Sequence, residues 1–390
     1  MNKNKVQEKV AVLPKPSPIR IFTDKAVSYI KDQPVLFIAI IVTVLTVIVV
    51  PVDSTYKSYF DVRTLTCLFC TLAVVAAYKH IYLFEIIAQA IVIRLKNLRN
   101  VVIGVVFITY IASMLLANDM ALLTFLPLGY LVLETTGMRK YIAFTFIMQN
   151  IAANLGGMLT PFGNPQNLYL FSYFNIPTDE FFRIMLVPFI TAAVMILICC
   201  LAVKPIPMTL KVQTEQKLNI RKTIVYSLLF ILSISIVFRL IPYLWGTIVI
   251  TIVLMFLDRK AVAEVNYPLL LTFCLFFIFS GNMSRIPAIQ EIFSNFLPEH
   301  TLITATISSQ FISNVPSAVL LSRFTNDYAS LLVAVNIGGI GTLVASLASL
   351  ITFNEYKKHF NDTRKYILKF SAINFSFLTI LVLVQVLINN

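Results

Sequence analysis

An asparagine-centred polar cluster occurs twice in a chain that is otherwise hydrocarbon-like. The first copy is Ala117-Asn118-Asp119 followed by a stretch from Asn154 to Asn167. That stretch contains Gly156-Gly157, Thr160-Pro161 and Gly163-Asn164-Pro165-Gln166-Asn167. The second copy is Ser313-Asn314-Val315-Pro316 followed by Asn336 to Ser349, with Gly338-Gly339, Gly341-Thr342 and Ser346. Polar, Gly- and Pro-rich backbone at membrane depth is tolerated only where it is buried in protein or lines a cavity. Two matching copies therefore predict a midplane site at a repeat interface.

The membrane setting follows from composition. Of 390 residues 58% are hydrophobic and only 13% charged, with a mean hydropathy of +0.85. A soluble domain of this size does not read that way; a polytopic all-α membrane protein does. Alternating ten-residue strands are absent, which excludes an outer-membrane barrel. The net charge of +13 is expected of cytoplasmic loops, and without a basic soluble domain it does not imply nucleic acid. Cys67 and Cys70 have redox-motif spacing but sit in an apolar run, where packing is the expected role. The scattered His80, His300 and His359 form no metal motif. Residues Met1–Pro18 lack the apolar core of a signal peptide and read as a cytoplasmic tail.

Apolar runs near Val35–Val52, Val62–Lys79, Glu180–Val203, Thr223–Leu240, Tyr243–Leu257, Tyr267–Gly281 and Ile367–Ile388 predict crossings. Tyr141–Phe174 and Asp327–Asn354 read as discontinuous crossings broken by the Gly-rich segments. Val101–Leu133 and Thr301–Phe324 read as re-entrant hairpins with Asn118 and Asn314 at their tips. Nine crossings place the N-terminus in the cytoplasm and the C-terminus outside. The loops then assigned inside carry most of the Lys and Arg, as the positive-inside rule requires. The expected organisation is a basic tail (1–34), a first transmembrane repeat (35–203), a loop and linking helix (204–242), and a second, inverted repeat (243–390). Amphipathic segments Ile81–Leu95 and Ile286–Leu297 are expected along the interface.

Asparagine offers donor and acceptor groups together, and half-helix termini supply dipoles for an anion or Na+. The paired glycines at 156, 157, 338 and 339 permit close backbone approach, or alternatively tight packing of small residues. Asp119 is the sharpest residue, because an acid at the bilayer centre usually faces a cavity or ion path. Its expected role is cation or proton coupling; the alternative is a cap on the returning hairpin arm. Arg239 and Arg285, near helix ends, are expected to snorkel to the interface.

These residues resemble the ion transporter superfamily, in particular its citrate transporter-like domain. That group includes divalent anion/Na+ symporters, arsenite permeases and some Na+/H+ antiporters. The resemblance spans roughly residues 60–385, and Gly163-Asn164-Pro165-Gln166-Asn167 is its most specific match. It implies a substrate site formed by Asn118, Asn154, Thr160, Asn164, Asn167, Ser313, Asn314, Asn336, Thr342 and Ser346. It also implies a coupling-ion site involving Asn118, Asp119, Gly157, Asn314 and Gly339, with Na+ as the candidate ion and no other cofactor. Family members form dimers that move by an elevator-like displacement, which implies a homodimer here. Dicarboxylate symporters carry Ser-Asn-Thr at both tips, whereas this chain has Ala-Asn-Asp and Ser-Asn-Val, a pattern more similar to the arsenite-permease branch.

The resulting expectation is a secondary active transporter in the cell (inner) membrane. It would carry a small anionic or oxyacid substrate (a carboxylate, an inorganic anion or arsenite) coupled to Na+ or H+. An Na+/H+ antiporter is the alternative. A membrane-embedded enzyme fits less well, because no nucleophile with a positioned base is visible, and a passive channel does not explain helix breaks.

Overall fold

The computed structural model describes residues 33–208 and 218–389. The tail through residue 32 and the loop segment with Lys211 and Lys217 lie outside the described residues. Helices α1 (Pro34–Val49), α2 (Val62–His80), α3 (Leu83–Val92), α4 (Leu98–Ala112), α5 (Asn118–Thr135), α6 (Ile142–Gly156), α7 (Pro165–Tyr173) and α8 (Thr178–Leu201) come first. They are followed by α9 (Ile220–Val237), α10 (Tyr243–Leu257), α11 (Arg259–Ala263), α12 (Tyr267–Met283), α13 (Pro287–Ile312), α14 (Asn314–Leu321), α15 (Tyr328–Ile337), α16 (Leu347–His359) and α17 (Thr363–Asn389). Among the described residues there is no strand, only a bridge between Asn97 and Pro207.

Local chemistry sets many of these boundaries. Short polar side chains accept from the first free N–H groups of their helices: Asp61 from Thr64, Asn97 from Asn100, Asn219 from Lys222, Asn266 from Leu269 and Asp327 from Ser330. Pro34 and Pro165 sit in first turns, where their missing N–H costs nothing. In α13 the backbone leaves helical geometry at His300, separating the amphipathic segment from the arm that leads to Asn314.

Six helical stretches among the described residues are long and apolar enough to cross a bilayer, Val62–His80, Thr178–Leu201 and Thr363–Ile388 among them. Large apolar side chains such as Ile48, Ile190, Ile198, Ile231, Phe256 and Leu387 face outward. Gln149, Asn150, Asn167, Asn336 and Asn374 are meanwhile buried. Apolar outside and amide inside is the arrangement that lipid, not water, selects. The protein is an integral, polytopic, all-helical membrane protein. The expected run Val35–Val52 appears as the shorter α1, and Tyr243–Leu257 keeps its expected bounds. Pro51 follows the end of α1, Asp258 caps α11 directly after α10, and residues 338–346 divide α15 from α16.

The loops make two separate sets of contacts. In one, His80 lies between Asp258 (2.8 Å) and Glu264 (3.0 Å), Arg99 bonds the carbonyl of Val203 (2.7 Å), and Arg139 reaches that of His359 (3.4 Å). Burial favours the protonated form of Asp258, but hydrogen bonds from His80 and Tyr226 outweigh it and hold the carboxyl below its ordinary range. In the other set Arg285 pairs with Asp53 (2.7 Å) and with the Tyr59 hydroxyl (3.1 Å). Arg239 donates to the carbonyl of Phe171 (2.7 Å) and stacks over its ring. Both arginines are thus tied to protein rather than snorkelling alone, because each meets a partner distant in sequence that satisfies its guanidinium.

Candidate functional site

Both asparagine tips, and the helix starts that follow both breaks, line one cavity of about 50 Å³. Its walls include Asn118 and Asp119, Pro165 and Gln166, Ser313 to Pro316, and Leu347. Gln33 and Pro34 at the start of α1, the α12 cap Asn266, and Thr272 and Phe276 of α12 also line it, forming its rim. Asn118, Pro165, Asn314 and Leu347 each open a helix, α5, α7, α14 and α16 respectively. Four helix N-termini therefore converge on one small space, each with the positive end of its dipole. Such a convergence is suited to negative charge.

The two tips are built alike. Asn118 Oδ1 accepts from the Asp119 N–H and Asn314 Oδ1 from the Val315 N–H, both at 2.9 Å. The breaks are pinned to the preceding arms in matching fashion. Thr160 donates its hydroxyl to the carbonyl of Met114 (2.7 Å) and Thr342 to that of Gln310 (2.9 Å). Met114 and Gln310 each stand four residues before a tip asparagine. Gly156 packs on Ser113 and Gly338 on Ser309, again at one shared register. One difference is conformational: Ser313 holds φ 74° and ψ 155°, a region costly for a residue with a Cβ, whereas Ala117 is extended.

Behind the cavity lies an amide network. Asn118 donates to Asn154 Oδ1 (3.3 Å), and Asn154 to the Asn150 carbonyl (3.0 Å). Asn336 joins the two breaks. Its Oδ1 accepts from Asn164 (3.1 Å) and Gln166 (3.3 Å), and its Nδ2 donates to Asn167 Oδ1 (2.5 Å). Asn167 in turn donates to the carbonyls of Gly157, Met158 and Thr160, which holds the unwound turn in place. Ser346 caps α16 at Ser349 (3.2 Å). Of the residues expected to bind substrate, Asn118, Ser313 and Asn314 line the cavity. Asn154, Thr160, Asn164, Asn167, Asn336, Thr342 and Ser346 support it from behind. Among the expected ion-site residues, Asn118, Asp119 and Asn314 line it too. Gly157 and Gly339 do not, but they allow Asn164 and Asn314 respectively to approach the backbone closely.

Asp119 makes no hydrogen bond or ion pair through its carboxylate among the described residues, and it faces the cavity. Oδ1 of Asn164 and Oε1 of Gln166 are buried without a partner, which is costly unless a ligand, ion or water meets them. Asp119 and Gln166 line the cavity, so theirs are the oxygen acceptors available to a cation there, whereas the Asn164 oxygen lies against Gly157. The rim from α1 and α12 and the bridging role of Gln310 have no counterpart in the sequence motifs. Asn266 as a helix cap was the one readable hint.

A model of the citrate transporter family matches residues 30–330. The chain belongs to this family. An uncharacterized transporter of Methanocaldococcus jannaschii is 33% identical over 291 residues, 74% of this chain and 80% of that protein. The inner membrane protein YbiR of Escherichia coli K12 is 31% identical over 278 residues, 69% of this chain and 73% of the relative. A silicon efflux transporter of Oryza sativa subsp. japonica is 32% identical over a shorter stretch of 123 residues, 31% of this chain and 24% of that protein. The family match contains both tips and the first break and ends before Asn336. As a citrate transporter family member, the protein is a membrane transporter.

The close approaches around the breaks make a first prediction for this transporter. A Cβ at Gly156 would collide with the backbone carbonyl of Tyr110 and come 2.5 Å from the Ser113 hydroxyl. Since backbone cannot rotate away, Gly156→Ala is expected to cost about 1–3 kcal/mol. The reading is a lower unfolding temperature in detergent. An unchanged temperature would mean that α4 and α6 separate more easily than their packing implies.

Proposed function

We propose that the protein is a secondary active transporter of a small anion or oxyacid, coupled to Na+ or H+, working by alternating access about the cavity between Asn118 and Asn314. The observation that carries this reading is the convergence of four helix N-termini on a space that also holds an unpartnered carboxylate. The dipoles favour an anion, while Asp119 opposes one unless a cation or proton arrives with it. Coupled binding follows from that opposition, because neither ligand is well held without the other. A cavity of about 50 Å³ has room for a few water-sized groups, which favours a compact oxyanion or oxyacid over a tricarboxylate.

The proposed membrane arrangement has nine crossings, two re-entrant hairpins and two inverted repeats, with domains at 35–203 and 243–390. The N-terminus lies in the cytoplasm, the C-terminus lies outside, and the chain is expected to pair as a homodimer in the cell membrane. Supporting the repeat reading are the equivalent roles of Thr160 and Thr342 and of Gly156 and Gly338. Supporting the sidedness, each set of loop contacts joins only loops assigned to one face. Access in this conformation would be from the cytoplasm, because Gln33 and Asn266 at the rim belong to loops on that side.

Proteoliposome uptake tests the reading with citrate, succinate, sulfate, phosphate, arsenite and silicic acid, each with and without a Na+ or pH gradient. Silicic acid is included because of the name of the rice relative. Concentrative uptake of one compact anion or oxyacid under one gradient is expected, and none for any compound would overturn the proposal. The free carboxylate of Asp119 also favours a second reading, an Na+/H+ antiporter. That reading requires a Na+ gradient alone, without substrate, to drive acidification or alkalinisation of the vesicle lumen.

A further inference from the structure

A second cavity of about 470 Å³ opens between the start of α6, the end of α8 and the second turn of α17. Lys140, Lys204 and Lys369 stand around it, and its floor is Tyr141, Phe144 and Val203. Among the described residues none of the three lysines takes part in an ion pair, and no acidic side chain lines the groove. Arg99 adds a fourth cation beside it by bonding the Val203 carbonyl at 2.7 Å. Two of the lysines are also placed by aromatic rings, with the Lys369 ammonium 5.6 Å from the Phe144 ring centre and that of Lys140 5.3 Å from that of Tyr141.

Unpaired like charges held around one groove repel each other unless an anion joins them. Lys140 lies just before α6 and Lys204 just after α8, at helix ends, so the cations stand at headgroup level. The aromatic and aliphatic floor continues into the apolar sides of α6 and α8. An anion seated here would have its charge among the ammonium groups and its other end on hydrocarbon. Free phosphate meets only the first of these features, whereas an anionic phospholipid meets both.

We propose that this groove binds the phosphate headgroup of an anionic phospholipid, separately from the transport cavity. The test uses the full-length protein purified in detergent and mixed with phosphatidylglycerol or phosphatidylcholine. Native mass spectrometry counts the lipid retained. Wild type is expected to keep phosphatidylglycerol in preference to phosphatidylcholine. The triple variant Lys140→Gln, Lys204→Gln, Lys369→Gln should retain at least about tenfold less phosphatidylglycerol, as expected from losing three headgroup cations. Lys369→Arg, which keeps the charge, should retain it. A control triple, Lys79→Gln, Lys222→Gln, Lys260→Gln, removes equal charge from the same end of the bundle and should behave as wild type.

Equal loss in both triples would mean diffuse surface attraction and would overturn the proposal. So would undiminished retention in the groove triple, or equal retention of the two lipids by wild type. Inorganic phosphate separates the remaining source. If millimolar phosphate alone stabilises lipid-depleted wild type as much as phosphatidylglycerol does, the site belongs to a free anion and the lipid assignment fails. No such stabilisation supports the lipid.

Discussion

Alanine at Asn118 or at Asn314 is expected to cut substrate uptake by reconstituted protein at least about tenfold, with membrane insertion and folding retained. Each side chain stands at the first position of a helix, accepts the next N–H at 2.9 Å and lines the cavity. Removing it strips a donor from the site and loosens the turn that aims the helix end. The loss of a single hydrogen bond to a charged ligand is worth about 1.5–3 kcal/mol, which sets the expected fold-change. Initial uptake rates in proteoliposomes provide the measurement, with circular dichroism and the unfolding temperature as controls for folding. The two substitutions should have comparable effects, because the two tips are built alike. Full activity in both variants would remove the tips from the site. Strong loss in only one would mean that the cavity is used asymmetrically.

The second large effect is expected at Asp119. Asp119→Asn keeps the shape of the side chain and removes its charge, so the opposition between the carboxylate and the anion disappears. Substrate binding should persist without the cation, while concentrative uptake collapses to downhill movement. Initial rates measured across Na+ concentration and across pH should become flat in the variant. If both dependences survive unchanged, Asp119 has no part in coupling, and its role reduces to a favourable charge in the first turn of α5. An intermediate substitution helps to separate the two ions. Asp119→Glu, which keeps the charge but lengthens the arm, should preserve a pH response better than a Na+ response. Proton transfer tolerates displacement that a coordination shell does not.

Much of the fold was legible because a membrane protein writes its helices in hydrophobicity. The run Tyr243–Leu257 is a helix with those bounds, and Thr223–Leu240 differs from α9 by three residues at each end. The tips were equally visible, since asparagine beside aspartate or proline interrupts an apolar run that lipid would otherwise keep unbroken. What the sequence could not show is which polar groups face the cavity and which face each other. Asn154, Asn164, Asn167 and Asn336 have the same composition as the tips, yet none of them lines the cavity. That distinction depends on contacts between residues some 170 positions apart. The rim formed by α1 and α12 was hidden for the same reason, and so were the partners of Arg239 and Arg285. Gln166 was visible as part of the first cluster, but its orphaned carbonyl oxygen emerges only from packing.

The position of Asn336 has a consequence for how such a chain can change over generations. One side chain beside the second break hydrogen-bonds three amides of the first. A change at any of them leaves a buried partner unsatisfied across the two breaks. The two halves therefore share a single error tolerance, although they are separate stretches of chain. Divergence is cheaper at the positions after the tip asparagines, whose side chains make no hydrogen bond among the described residues. There Asp119 and Val315 already differ. On the proposed site, a change of cargo is thus open to these two positions, while the breaks behind them must move together or stay as they are.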